Sequence, residues 1–362
     1  MNTYHLFAVP VFSAVWLNAV LIGFAIWVSP YLEVPVMALA WGVLAAGVVQ
    51  LLFHLPFLIR LGLLPRPRAK SDPGVGEVKR LMLPALFGVS VAQINLLVDT
   101  ILASFLVTGS VSWLYYSDRL MEFPLGVFGV ALATVVLPGL SKKAANADWI
   151  GFQQDLDFAL RLVFLIGVPA MLGLLLLAEP MVTTLFYYGA FTQQDVSMAG
   201  ASLMAYSFGL VGFILVKVLA PAFYARKDMK TPVRIAVVAL LANVVLNLAL
   251  IGPLAHVGLA LATSLSAFVN AGLLGWFLWR RQVYRPLPGW RKLLVQGMLA
   301  NVFWVALLIY WAPEASQWFE MAGWERVGWL TLIVLAVLVG YALVLTLSGF
   351  RWQRFMRATP AE

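Results

Sequence analysis

Residues 113–126 read WLYYSDRLMEFPLG. Asp118, Arg119 and Glu122 crowd into little more than one turn, and the residues on either side are almost wholly apolar. The apolar stretch that holds them, 110–138, exceeds the roughly 20 residues a helix needs to cross a bilayer. Either these charges mark the wet face of a soluble helix, or they are a polar feature built into a membrane span. The rest of the chain decides between the two.

Of 362 residues, 62% are hydrophobic and 11% charged, against about 25% charged in a soluble domain. Apolar runs recur along the whole length, near 6–28, 35–60, 80–106, 110–138, 158–178, 197–222, 233–251, 257–279, 292–311 and 327–349. Each satisfies the length criterion for a transmembrane helix. The sequence therefore predicts an all-α, polytopic transmembrane helical bundle of about ten spans. With no cysteine in the chain, a disulfide framework, a thiolate metal site and a cysteine nucleophile are excluded. Met1–His5 lacks a basic leader region, and the apolar stretch after it is long enough to span, so the chain is expected to start at the edge of a span.

The 24 Lys+Arg against 16 Asp+Glu give a net charge of +8. In a membrane protein this excess reads first as topology, not as nucleic-acid binding. One set of loops is basic: Arg60–Arg80, Lys142–Lys143, Arg226–Arg234, Arg280–Lys292 and Arg351–Arg357. The alternate loops, at 29–33, 107–110, 179–195, 252–256 and 313–326, are nearly free of Lys and Arg. Every second loop is basic, and the positive-inside rule puts those in the cytoplasm. Both ends of the chain are then cytoplasmic, as an even number of spans requires. A soluble bundle would show no such alternation.

PRPRAKSDPGVG, 65–76, is rich in Pro, Gly and charge and reads as an exposed connector; RRQVYRPLPGW, 280–290, is a shorter one that sets off the last two spans. Tryptophans 290, 311, 318, 324 and 329 fall near span ends, as interfacial aromatics do. Pro84, Pro124, Pro138, Pro169 and Pro221 lie inside spans and predict kinks.

An intramembrane charge costs about 2.5–3.5 kcal/mol on insertion scales and faces a partner or a cavity. Arg119 stands nine residues into its span, roughly 13 Å deep, with Asp118 and Glu122 on neighbouring faces. It is either an internal ion pair that locks the bundle or a guanidinium held out to an anionic ligand, for which arginine is the suited side chain. Asp99, with Asn95 a turn earlier, the i,i+4 pair Asn243 and Asn247, and Thr263 would together supply an all-oxygen set for Na⁺, if their helices meet. The same residues could equally make interhelical hydrogen bonds, and protonation of Asp99 is a third option. Lys217 near a span end either snorkels to the interface or offers a second cation to an anionic head group. Asp155 and Asp157, with Arg161, read as a solvated helix face. His5, His54 and His256 are far apart and near span ends, so no metal cluster is expected. No nucleophile elbow or phosphate-binding loop is present in the sequence, and nothing points to covalent chemistry.

GSVSWLYYSDRLMEFPLGVFGVALATVVLPGLSK, VKVLAPAFYARKDMKTPVRIA and VSVAQINLLVDTILASFL resemble the MurJ (MviN) family of lipid II flippases, related to multidrug and polysaccharide exporters. The resemblance runs over nearly the whole chain. It implies a transporter, not an enzyme, that moves the undecaprenyl-pyrophosphate-linked peptidoglycan precursor across the bacterial inner membrane by alternating access, for cell-wall synthesis. Lipid II and membrane lipids are then the partners, with the peptidoglycan synthesis machinery beside them.

Arg119 matches the family's essential cavity arginine, and Asp118, Glu122 and Lys217 would surround the substrate. Asp99, Asn243, Asn247 and Thr263, with the backbone of Leu259, match a proposed sodium site; Na⁺ or H⁺ coupling follows, with no other cofactor. Members are similar to one another in having about fourteen helices, two six-helix lobes and a final pair. On that pattern 1–63 would be the last two helices of the first lobe, 64–79 a cytoplasmic linker, 80–279 the complete second lobe, and 280–362 a linker and terminal pair shaping a lipid-tail groove. The chain would then lack the first four helices. The alternative is a related exporter of drugs or another lipid-linked glycan. A membrane enzyme acting on a polyprenyl phosphate would need clustered acids for Mg²⁺ or a large catalytic loop, and the sequence offers neither.

Overall fold

The computed structural model describes residues 8–62 and 93–350. The connector 64–79, the first part of the span at 80–106 with Pro84, and the basic residues Arg66–Arg80 and Arg351–Arg357 lie outside the described residues, as does His5. The chain divides into two compact units, 1–76 and 77–362, and among the described residues it is helical with no strand.

In the first unit, α1 (Ala8–Gly23) and α2 (Met37–Arg60) form an antiparallel hairpin. The Gln50 amide donates to the Ser13 carbonyl at 2.9 Å, and Phe12, Trp16 and Phe53 meet ring to ring at about 6 Å. At the other end Gly42 lets Leu21 and Phe24 close onto α2.

The second unit holds α3 (Gln93–Ser104), α4 (Ser110–Ala145), α5 (Trp149–Leu176), α6 (Ala178–Phe186), α7 (Gln193–Tyr224), the stretch Lys230–Arg280, α10 (Trp290–Trp311), α11 (Ala315–Glu320) and α12 (Gly323–Leu347). Lys230–Arg280 runs for 51 residues, about 77 Å if straight and more than twice a bilayer core. It is not straight. Asn243 and Thr263 lie 20 residues apart yet hydrogen-bond at 3.2 Å, and the Gly258 Cα packs on the Leu250 backbone so closely that a Cβ would stand 2.4 Å from its carbonyl oxygen. The chain reverses at Ala255, whose φ of 49° and ψ of −129° leave the helical region. Two arms result, α8 (230–254) and α9 (256–280). Seven helices among the described residues are long and apolar enough to span a membrane. With this reversal and the shorter apolar stretches Val15–Tyr31 and Gln93–Ser104, each of the ten sequence segments falls, in whole or part, on a helix.

Helix α7 is the centre of the second unit: half of its most apolar stretch is buried, against 22% of the corresponding stretch within Lys230–Arg280. Small residues let neighbours approach it closely. A Cβ on Gly209 would meet the Ser264 Cα at 2.7 Å, and the Ser264 hydroxyl donates to the Ala205 carbonyl at 2.6 Å. Against α4, Trp113 Nε1 donates to Asp195 at 2.7 Å and Ser117 to the Ala199 carbonyl at 2.7 Å. Both contacts advance in step, so α4 and α7 run parallel.

Two of the expected prolines stand beside wide turns, while Pro138 and Pro221 lie within continuous helix. In α4 a π segment, Leu125–Val130, follows Pro124; in α5 another, Val163–Gly167, precedes Pro169. Pro169 has no N–H for the Leu165 carbonyl four residues back. That carbonyl receives the Tyr341 hydroxyl of α12 at 2.8 Å, which helps dock the terminal pair. The pair has its own core around Trp304, Leu308, Ile333 and Leu345. At the basic end Asp228 accepts from Thr231 at the start of α8 and from Arg281 after α9, at 2.6 and 2.7 Å. Burial pushes its carboxyl up, but these hydrogen bonds outweigh that and hold it below the usual carboxylate range.

Candidate functional site

The helical period fixes what Arg119 can do. In α4 the residues Trp113, Leu114, Ser117, Leu120, Met121 and Pro124 form the buried stripe, spaced at three and four as a helix face must be. Tyr115, Arg119 and Glu122 therefore point away from the packed lobe. The Arg119 side chain is 49% exposed. Its Nη1 donates to Glu122 Oε2 at 2.6 Å, its Nη2 lies 3.9 Å from Asp118, and the guanidinium sits 5.1 Å over the Tyr115 ring. The two acids steady the group without consuming it: among the described residues Nε and Nη2 make no hydrogen bond. A guanidinium edge presented this way suits the oxygens of a phosphate.

The second constellation is buried. Asp99 on α3 accepts from Asn247 Nδ2 at 2.6 Å and from the Thr263 hydroxyl at 3.0 Å. Asn247 also donates to Asn243 Oδ1 at 2.8 Å, and the Leu259 carbonyl lies 3.1 Å from Thr263 Oγ1. Asp99, Asn243, Asn247 and Leu259 are all buried. The reversal at Ala255 is what brings Asn243 and Asn247 on α8 opposite Leu259 and Thr263 on α9. All five residues that the sequence suggested for a cation thus converge. The fit to a hard cation rests on two orphaned acceptors: Asn95 Oδ1 and Asn247 Oδ1 are buried and have no hydrogen-bond partner. A buried acceptor is costly to leave unpaired, and an oxygen-seeking ion would satisfy both it and the Asp99 charge. Among the described residues no group of three or more His, Cys, Asp or Glu is placed to hold a metal ion.

Lys217 is not part of either cluster. It is exposed on α7. Because α4 and α7 run parallel, with Ser117 level with Ala199, Lys217 stands about 24 Å beyond Arg119 toward the basic end.

One buried centre departs from the sequence expectation. Asp157 is no part of a solvated face: it is 2% exposed. Its Oδ1 accepts from the Tyr284 hydroxyl at 2.7 Å, the Leu287 N–H at 3.1 Å and Trp290 Nε1 at 2.8 Å. Its Oδ2 pairs with Arg161 Nε at 2.6 Å, and Arg161 in turn donates to the Pro288 carbonyl at 2.8 Å. Burial and the adjacent Asp157 carboxylate push the Tyr284 phenol well above its usual range, so it stays a donor. The signal was present in the buried stripe Phe152–Leu156–Ala159–Val163, which carries Asp157 inward beside Leu156. Asp155, by contrast, does pair at the surface, with Lys143 at 2.7 Å.

Beside this node runs an apolar groove. Two hollows of about 450 and 480 Å³ share Leu160, Leu215, Tyr284 and Pro286. One continues along Val211, Phe164 and Leu294, the other along Phe268, Trp276 and Trp279. The first separates the lobe from α10 of the terminal pair.

A multi-pass helical bundle with charges held inside its spans, a buried oxygen cluster and a greasy groove defines a membrane transporter rather than an enzyme. Similarity to known proteins makes this specific. The family model described as "Lipid II flippase MurJ" matches residues 1–326. A probable lipid II flippase MurJ of Vibrio cholerae is 46% identical over 360 residues, covering 99% of this chain and 69% of that protein. The lipid II flippase MurJ of Burkholderia cenocepacia is 40% identical over 364 residues, covering 99% of this chain and 70% of that one. Among solved structures, a lipid II flippase MurJ in an inward closed conformation superposes with a TM-score of 0.77 at 23% identity, over 95% of this chain and 68% of that chain. An outward-facing MATE multidrug transporter of the MOP superfamily reaches a TM-score of 0.50 at 17% identity, over 80% of this chain and 69% of that one. The chain belongs to the MurJ family of lipid II flippases.

Proposed function

We propose that this chain flips lipid II, the undecaprenyl-pyrophosphate-linked peptidoglycan precursor, from the cytoplasmic to the periplasmic leaflet of the bacterial inner membrane by alternating access. Family membership gives the substrate, and one observation carries the reading to a residue: within a transmembrane helix, Arg119 turns outward from its lobe with half its side chain exposed. A charge in that position is stable beside a wet cavity and costly beside lipid. Arg119, steadied by Asp118 and Glu122, receives the pyrophosphate. Lys217, about 24 Å further toward the basic end, would meet an anionic head group at a different stage of its passage, not together with Arg119. The apolar groove along Leu160, Leu215 and Leu294 takes the prenyl tail.

Asp99, Asn243, Asn247, Thr263 and the Leu259 carbonyl would hold Na⁺, with the orphaned Asn247 oxygen supporting that fit. A bound ion would supply positive charge where α3, α8 and α9 meet. The carboxylate and amides themselves tie α3 to the hairpin, and a proton on Asp99 is the other candidate for coupling. In this reading 1–63 closes the first lobe, 64–79 links the lobes, 80–279 is the second lobe and 280–362 the terminal pair. The basic ends and both chain termini face the cytoplasm, where the peptidoglycan-synthesis enzymes supply substrate.

Replacing Arg119 by Ala at the chromosomal locus is the test. The variant should insert at normal levels, yet halt wall synthesis and accumulate lipid II in the inner leaflet. Normal growth and lipid II turnover with Arg119→Ala would remove Arg119 from the mechanism.

A further inference from the structure

We infer that Asp157 is a positioning residue for the tail groove: through Tyr284 and Trp290 it fixes the wall against which the prenyl chain of the substrate lies. The inference rests on the groove reading above and adds to it the group that sets the groove's shape.

Both hollows of the groove are lined by Tyr284 and Pro286, and one also by Trp290. These residues come from the 281–289 connector and the first turn of α10, a stretch with no regular structure over 284–287 to hold its form. Its conformation is set from outside, by α5. A single carboxylate oxygen of Asp157 accepts three donors from it, the Tyr284 hydroxyl, the Leu287 N–H and Trp290 Nε1, within 3.1 Å. Arg161 neutralises the other oxygen and anchors the Pro288 carbonyl, with its guanidinium 5.5 Å over the Trp290 ring. The rings of Tyr284 and Trp290 thus present apolar faces to the groove while their polar atoms are turned inward to one buried acid. Charge-assisted bonds to a buried carboxylate are about twice as strong as neutral ones. That gives the groove a rigid wall made from a connector that would otherwise have many conformations. A wall ordered before binding spares the ligand the cost of ordering it. Asp157 meets no ligand itself.

The test uses the purified chain in phosphatidylethanolamine–phosphatidylglycerol nanodiscs, with a photoreactive benzoylphenylalanine in place of Leu294 and radiolabelled undecaprenyl phosphate as probe. A second variant carries the same group in place of Tyr310, which is 92% exposed on α10. Saturable cross-linking at 294 and not at 310 supports the groove. Asp157→Ala and Tyr284→Phe should each raise the half-saturating concentration about tenfold, roughly one charge-assisted bond's worth. The double variant should be no worse than Asp157→Ala, because Tyr284 acts through Asp157. Tyr284→Phe removes one of several donors to Asp157, so the chain should remain folded with only a modestly lowered melting temperature. If Asp157→Ala does not fold, Tyr284→Phe and Trp290→Phe carry the comparison, each weakening cross-linking and together adding less than their sum. Cross-linking no greater at 294 than at 310 in the parent would sink the groove reading and this inference with it. Parental cross-linking that Tyr284→Phe and Trp290→Phe leave unchanged would sink the inference alone, as would strictly additive losses.

Discussion

Arg119 and Asp99 show two ways a helix can carry charge through an apolar environment. Arg119 keeps its partners on its own helix, Glu122 at 2.6 Å and Asp118 at 3.9 Å, so its outer edge stays exposed. Asp99 draws its closest partners from two other helices and is buried among them. This difference gives a residue-scale prediction. Sodium chloride should raise the melting temperature of the purified chain relative to potassium or choline chloride, since an ion that binds only the folded form stabilises it, by about 2.7 kcal/mol at a hundredfold excess over Kd. Asp99→Asn and Asn247→Ala should abolish the difference. A parent chain indifferent to sodium would leave the cluster as an interhelical hydrogen-bonded seam. The residues of both sites were legible in the sequence because polar side chains inside apolar runs are conspicuous. For Asp157 the helical stripe signalled burial but not the partners, which lie about 130 residues away on a connector, and no local pattern announces that a loop will fold back over a helix.

At the scale of elements, the decisive features are the reversal at Ala255 and the close seam between α7 and α9. The reversal was legible: the break in hydropathy at 252–256 separates two runs of spanning length. The seam was not, since Gly209 and Gly212 look like any glycines in a membrane helix until the partner is known. At Gly209 the Ser264 backbone leaves no room, with a Cβ 2.7 Å from Ser264 Cα. Gly209→Val should therefore force α7 and α9 apart. Overpacking of this kind costs about 1–3 kcal/mol, seen as a lowered melting temperature of the purified chain, whereas Gly173→Val, where a Cβ would meet nothing within 4 Å, should leave it nearly unchanged. Equal losses from the two substitutions would refute a specific seam. Of the prolines expected to kink spans, Pro124 and Pro169 stand beside π segments, while Pro138 and Pro221 lie within continuous helix. Pro169 frees a carbonyl, and only the terminal pair's Tyr341 shows what it is for.

For the molecule as a whole, the multi-pass helical architecture and the alternating loop charges were legible in the sequence, because the bilayer imposes length and charge rules that a soluble core does not. The topology they predict is open to a clean check, since the chain has no cysteine of its own. A single cysteine in place of Gly189, in a Lys- and Arg-free turn, should react with a membrane-impermeant maleimide added to intact spheroplasts. One in place of Arg226 should react only after the membrane is opened. The opposite pattern would invert the orientation proposed here.

Arg326 stands out in the otherwise Lys- and Arg-free segment 313–326, and it is 6% exposed. It is clamped by the Trp318 and Phe319 carbonyls at 2.9 and 3.1 Å and by the Tyr187 ring at 5.0 Å. None of these partners takes up a proton in mild acid, and none is shielded by dissolved ions as a surface carboxylate would be. The clamp joining α12 to the turn after α6 therefore keeps its grip through acid and brine alike, so the far end of the terminal pair is anchored independently of the medium that bathes it.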